Sequence, residues 1–155
     1  ALGFAALPNT QVFAHDIDAG RMRDLPERAA RAGVQIKTLT ASETSANGPF
    51  DIVFCDAPCS GAGTWRRAPD AKWRLTEGRL DDLMQSQDAV LKAAAPLVAD
   101  KGRLVYATCS VLNVENGGAI ARFLTANSQW CIETQFQLLP DADGDGFYLC
   151  ILHKR

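Results

Sequence analysis

An α/β fold built on a mostly parallel, doubly wound sheet is predicted by three features of the sequence. Short apolar runs alternate with segments of helical periodicity along most of the chain. One run, Ile52-Val53-Phe54-Cys55, is continuously apolar, as in a parallel strand buried on both faces. Turn residues at Gly33 and at Asp100-Lys101-Gly102 close the helical segments. With 155 residues, 47% of them hydrophobic and 22% charged, the chain is long enough for one globular domain with a sizeable core, so residues 1–155 are expected to form a single domain.

Residues 11–15 read as the first strand. Met22, Leu25, Ala29 and Ala32 then recur at helical spacing within residues 18–32, where Pro26 predicts either a kink or a helix that starts late. Residues 34–39 give a second strand, the polar stretch 40–49 a loop, and residues 51–55 the buried strand. A long amphipathic helix follows, marked by Leu80, Leu83, Met84, Val90, Leu91, Ala94, Leu97 and Val98, and then a strand at 104–107. Residues 113–127 are helical with Ile120, Phe123 and Leu124 on the apolar face, and two antiparallel strands close the chain around 130–136 and 147–153. There is no internal repeat. The opening, Ala1-Leu2-Gly3-Phe4-Ala5-Ala6-Leu7, resembles the remainder of a helix, so the first strand of the fold and its glycine turn are expected to be missing and the domain to be truncated.

A formal net charge of -2 excludes a polyanion-binding surface spread over the whole domain and leaves room for a local basic patch. No run approaches ~18 apolar residues, and the N-terminus lacks the basic-then-apolar order of a secretory signal; a cytoplasmic protein without a membrane segment is expected. Five cysteines, an odd number without framework spacing, suit reduced thiols. No Cys-x-x-Cys or His-Glu-x-x-His element exists, so no metal site is predicted.

Ligands of open parallel sheets bind beyond the carboxyl ends of the strands. Asp56-Ala57-Pro58-Cys59-Ser60-Gly61-Ala62-Gly63-Thr64 and Thr108-Cys109-Ser110 should therefore face one crevice, which brings Cys59 and Cys109 toward each other. Cys55, Cys131 and Cys150 lie inside strand patterns and read as core residues.

The motifs Asp56-Ala57-Pro58-Cys59-Ser60-Gly61, Pro69-Asp70-Ala71-Lys72-Trp73, Tyr106-Ala107-Thr108-Cys109-Ser110-Val111, Glu115-Asn116 and Asp145-Gly146-Phe147-Tyr148 resemble, in order, those of the Sun/Fmu-type RNA 5-methylcytosine methyltransferases. The resemblance runs over nearly the whole chain from Asp16 onward. It implies a Rossmann-like methyltransferase fold, S-adenosylmethionine as cofactor, and RNA, in particular ribosomal RNA, as partner. By the family's pattern Cys109 is the nucleophile and Cys59 the residue that assists product release, while Asp56 contacts cofactor and cytosine.

The chemistry accounts for the two thiols. Carbon 5 of cytosine is a poor nucleophile until a thiolate adds to carbon 6, and after methylation a base must remove the carbon 5 proton so that the thiolate can leave. A helix starting near Asn113 is expected to lower the Cys109 pKa through its N-terminal partial charge. Asp16, with Asp18 as the nearby alternative, suits the ribose hydroxyls of the cofactor. Lys72, with Arg66, Arg67 and Arg74, is expected to form a basic loop interleaved with Trp65 and Trp73, suited to phosphate contacts plus base stacking.

Two departures from the family stand out. Its glycine-rich cofactor loop is absent, and Thr40-Ala41-Ser42, with Glu43 only nearby, stands where it has an acidic residue for the adenine side. This chain by itself is therefore expected to be inactive. Two other functions compete: an exocyclic-amine N-methyltransferase, with Asp56-Ala57-Pro58 as a variant Asp-Pro-Pro-aromatic loop, and a catalytically silent RNA-binding or assembly module.

Overall fold

Pro26 occupies the first turn of a helix in the computed structural model, which describes residues 1–155. Its missing N–H is one that a helix start leaves unpaired in any case, so the late start is the outcome and the helix is not kinked. Residues 19–22 ahead of it form a separate 3-10 turn, capped by the Asp18 carboxylate on the Gly20 N–H at 2.8 Å.

The chain divides into two units, Ala1–Gly48 and Pro49–Arg155. In the first, α1 (Leu2–Ala5) precedes β1 (Val12–Ala14), α2 (Leu25–Arg31), β2 (Ile36–Thr38) and α3 (Ala41–Asn47). β1 and β2 pair in parallel, Val12 opposite Ile36 and Ala14 opposite Thr38. The expected loop at 40–49 is instead mostly α3. Thr40 and Glu43 form a reciprocal capping box, the Glu43 carboxylate accepting from the Thr40 N–H at 2.8 Å. α3 is polar throughout, with no apolar stripe, and so gave no periodicity to read.

The second unit holds β3 (Phe50–Asp56), α4 (Pro69–Arg74), α5 (Glu77–Ala94), β4 (Val98–Thr108), α6 (Gly117–Ala126), β5 (Trp130–Leu138) and β6 (Phe147–Lys154). Its sheet runs β3-β4-β6-β5, with β3 and β4 parallel and β6 inserted antiparallel between β4 and β5. Leu91 and Ala94 of α5 and Ala119, Ile120 and Phe123 of α6 pack on Leu104, Tyr106, Cys150, Leu152 and Trp130 to form the core. Burying each leucine-sized side chain contributes about 1.5–3 kcal/mol. Asp88 on α5 receives two 3.0 Å hydrogen bonds from Arg122 on α6 and joins the two helices at their rim. No helix is long and apolar enough to cross a membrane.

Four expectations need correction. β3 is an edge strand, paired only with β4, and Ile52 on the face away from α5 and α6 is 59% exposed; an apolar run does not reveal how many neighbours a strand has. β4 begins at Val98, and the Asp100-Lys101-Gly102 turn is a bulge within it, where a Cβ on Gly102 would stand 2.9 Å from the carbonyls of Phe50 and Asp51. Residues 113–115 form a 3-10 turn, Asn116 leaves helical geometry, and α6 starts at Gly117. Cys55 and Cys150 are core thiols that burial pushes up to about 12 and about 11, but Cys131, on edge strand β5, is only half-buried, its Sγ 3.2 Å from His153 Nε2.

Candidate active site

The parallel pairing of β3 with β4 ends both strands at one level. Asp56 lies opposite Ala107, and the Ala57 N–H donates to the Ala107 carbonyl at 3.0 Å. The chain turns at Gly61, whose φ of 68° lies in the left-handed region that side chains disfavour. The Gly63 N–H donates to the Cys109 carbonyl at 2.9 Å, and the Gly146 N–H donates to the Gly63 carbonyl at 2.8 Å. Gly63 and Gly146 approach so closely that a Cβ on either would collide with the other's backbone. The closing motif Asp145-Gly146-Phe147-Tyr148 thus stitches the Cys59 loop in place.

With both loops held, Cys59 Sγ and Cys109 Sγ lie 3.5 Å apart, each partly exposed. The two sulfurs are within hydrogen-bond reach of each other, and either can donate. That hydrogen bond is the largest cause lowering Cys109 to about 7, and it is also the largest cause of the raised pKa of Cys59, with burial adding to it. Burial of Cys109 and the nearby Asp56 and Glu115 carboxylates oppose the lowering. Cys109 is thereby the more acidic of the two thiols, and Cys59 the less acidic. The direction for Cys109 is as the helix start predicted, but the cause is the neighbouring thiol, since α6 begins only at Gly117.

A pH series of iodoacetamide alkylation, followed by mass spectrometry of the Cys109 peptide, tests this. The rate should rise with pH through about 7 and level off above it, because only the thiolate reacts. In Cys59→Ala the midpoint should move up toward the ordinary thiol value. An unmoved midpoint would assign the lowering to another cause.

Beneath the thiols lies a group to which sequence reasoning gave no role. Glu115 is fully buried, and its carboxylate accepts from the Ser60 N–H (2.8 Å), the Ser60 and Ser110 hydroxyls (both 2.5 Å) and Gln87 Nε2 (3.1 Å). Gln87 also donates to the Pro58 carbonyl at 3.0 Å. Hydrogen bonds to a charged group contribute about 1.5–3 kcal/mol each, which offsets the cost of burying a carboxylate with no cation beside it. Its one signal in the sequence is the Glu115-Asn116 motif, which names the residues without saying what they bind.

The other predicted residues fall as follows. Asp56 stands exposed at the end of β3. Lys72 lies on α4, where a loop was expected, because Pro69 starts a helix at its first turn; it forms no ion pair and lies 5.5 Å from the ring of Trp73, which is 82% exposed. Arg66 donates to the carbonyls of Asp141 and Ala142, and both Arg66 and Arg67 pair with the Asp145 carboxylate, while Arg74 pairs with Asp70 at 2.8 Å. Asp16, in the first unit, accepts from the Asp18 N–H at 2.8 Å, and its second oxygen has only Arg21 at 4.0 Å, which leaves acceptor capacity for hydroxyl donors. The Glu43 carboxylate accepts through Oε2 from the Thr40 N–H and hydroxyl, which also hold its pKa below the usual value.

Comparison with known proteins adds three findings. A family model described as 16S rRNA methyltransferase RsmB/F matches residues 4–153. Over 154 residues the chain is 36% identical to ribosomal RNA small subunit methyltransferase B of Proteus mirabilis (strain HI4320), which covers 96% of this chain and 36% of that protein. Over 162 residues it is 38% identical to the protein of the same name from Escherichia coli O7:K1, with 96% and 38% covered. The chain thus spans a little over a third of the length of these relatives. Among solved structures, the crystal structure of PH0851 matches with a TM-score of 0.82 at 30% identity, over 93% of this chain and 37% of that one. NSun6 from Pyrococcus horikoshii with SFG matches with a TM-score of 0.77 at 22% identity, over 93% and 41%, a likeness of fold.

Proposed function

The chain belongs to the 16S rRNA methyltransferase RsmB/F family, and we propose that it carries the cytosine-facing part of a catalytic domain that methylates carbon 5 of a cytosine in small-subunit ribosomal RNA through a covalent cysteine adduct. The observation that supports this reading best is the thiol pair itself: Cys59 Sγ and Cys109 Sγ lie 3.5 Å apart, with Cys109 the more acidic of the two. Methylation of an exocyclic amine has no use for such a pair.

In the proposed reaction the Cys109 thiolate forms a bond to carbon 6, and the electrons of the 5,6 double bond are released to carbon 5. S-adenosylmethionine, when bound, supplies the electrophilic methyl group that carbon 5 takes up. Asp56, at the end of β3, hydrogen-bonds the ring nitrogen of cytosine as charge develops there. Removal of the carbon 5 proton then restores the double bond and breaks the bond to Cys109. Asp16 is the acceptor for the ribose hydroxyls of the cofactor. Lys72 contacts phosphate and Trp73 stacks on a base. Arg66 and Arg67 share one carboxylate and keep a net positive charge for the same strand.

RNA carrying 5-fluorocytosine at the target position tests the reading. Fluorine at carbon 5 cannot leave as a proton does, so the full-length protein, as opposed to this chain by itself, should with S-adenosylmethionine be trapped on the RNA, with the bond mapped to Cys109. Methylated RNA with no trapped complex would instead favour the amine methyltransferase reading.

A further inference from the structure

Resting on the two-cysteine reading above, we propose that Glu115 is the positioning residue that sets the separation of Cys59 and Cys109. Its carboxylate receives the residue after each thiol: the Ser60 backbone N–H and hydroxyl on one side, the Ser110 hydroxyl on the other. The two serine hydroxyls also lie 3.3 Å from each other. Neither loop can turn without breaking a bond to the same buried group, and so neither sulfur can move independently of the other. Gln87 extends the control to Pro58, just before Cys59, by bridging that carbonyl and the carboxylate.

The hub is itself anchored away from the loops. Tyr106 Oη donates to the Glu115 carbonyl at 2.7 Å, which fixes the segment to β4. Asn116 accepts from Thr108 Oγ1 at 2.7 Å and donates to the Ser110 carbonyl at 2.9 Å and to Gln137 on β5 at 2.7 Å. A buried carboxylate with no cation is a poor choice where packing alone is wanted, since an apolar side chain would fill the space without the desolvation cost. What an apolar residue cannot do is accept from two loops at once.

The test measures proximity of the thiols apart from methylation. With oxidised glutathione, the Cys109 thiolate displaces one glutathione to form a mixed disulfide; Cys59 then loses its proton to solvent and displaces the second, closing the Cys59–Cys109 disulfide. The rate of the closing step, followed by mass spectrometry, reports the fit between the sulfurs. Misplacement of about 1 Å costs on the order of 10²-fold, so Glu115→Ala should close the disulfide roughly 10²-fold more slowly. Glu115→Gln removes the charge but keeps an acceptor for the Ser60 N–H and a polar partner for the hydroxyls, and it should close within a few-fold of the parent. Ser60→Ala, a milder change that protects the experiment if Glu115→Ala does not fold, should slow closure about tenfold by the same positional sensitivity. A folded Glu115→Ala or Ser60→Ala that closes at the parent rate overturns the proposal, as does a Glu115→Gln as slow as the alanine variant. Because no RNA is present, failure of the cytosine chemistry would appear in the trapping experiment and leave this result standing.

Discussion

In the full-length protein, Cys109→Ser is expected to lose methyl transfer by on the order of 10⁴-fold or more and to form no covalent complex with RNA carrying 5-fluorocytosine. A serine hydroxyl is far too weak an acid to supply an anion near neutral pH. Moreover, the hydrogen bond that lowers Cys109 to about 7 stabilises a sulfur anion fixed at a defined place. The substitution is nearly isosteric at a partly exposed strand end, so the thermal unfolding midpoint should change little. Loss of activity without loss of fold separates the nucleophile from a structural residue. Single-turnover kinetics with labelled S-adenosylmethionine measure the first quantity and calorimetry the second. Turnover at the parent rate would sink covalent catalysis and favour amine methylation.

Cys59→Ser, again in the full-length protein, is expected to fail at the opposite end of the reaction. The adduct should form and be methylated, but turnover should fall about 10²- to 10⁴-fold, the range over which a positioned proton-transfer group contributes. The reason lies in the pairing. Before attack, the largest cause of the raised Cys59 pKa is its hydrogen bond to the Cys109 sulfur. Once Cys109 is bonded to carbon 6 its charge is gone, and with it that cause, so Cys59 becomes easier to ionise at the step where the carbon 5 proton must leave. Its own proton goes to solvent, and the thiolate then accepts the proton from carbon 5. Serine cannot follow this change. With natural RNA and S-adenosylmethionine, a denaturing gel should show a protein–RNA complex that accumulates in Cys59→Ser, with the methyl group already transferred. A slow variant without accumulated complex would remove Cys59 from the release step.

Much of this was legible one residue at a time. The alternation of periods gave the order of strands and helices, and Pro26 left the choice between a kink and a late start that the helix geometry resolved. The motifs pointed to Cys59, Cys109 and Asp56. Where the reading failed, the deciding interaction was out of sight of periodicity. α3 depends on a capping box between Thr40 and Glu43 with no apolar face to announce it. The run 51–55 was legible as a strand, but its place at the edge of a four-stranded sheet depends on which other strands pair. Arg66 and Arg67 read as part of a phosphate-contacting patch, and their pairing with Asp145, far along the sequence, was out of sight of local pattern.

The sequence by itself determined the class of fold and the membership in a family and singled out Cys59 and Cys109 as candidates, because these rest on local pattern and on motifs contiguous in the chain. Only the tertiary structure decided how close the two thiols lie, what lowers the pKa of Cys109 and what holds the pair together. Those properties depend on a 3.5 Å separation between sulfurs fifty residues apart and on one buried carboxylate that receives both loops. Proton sharing falls off steeply with distance, and distance between remote residues is a property of the folded chain.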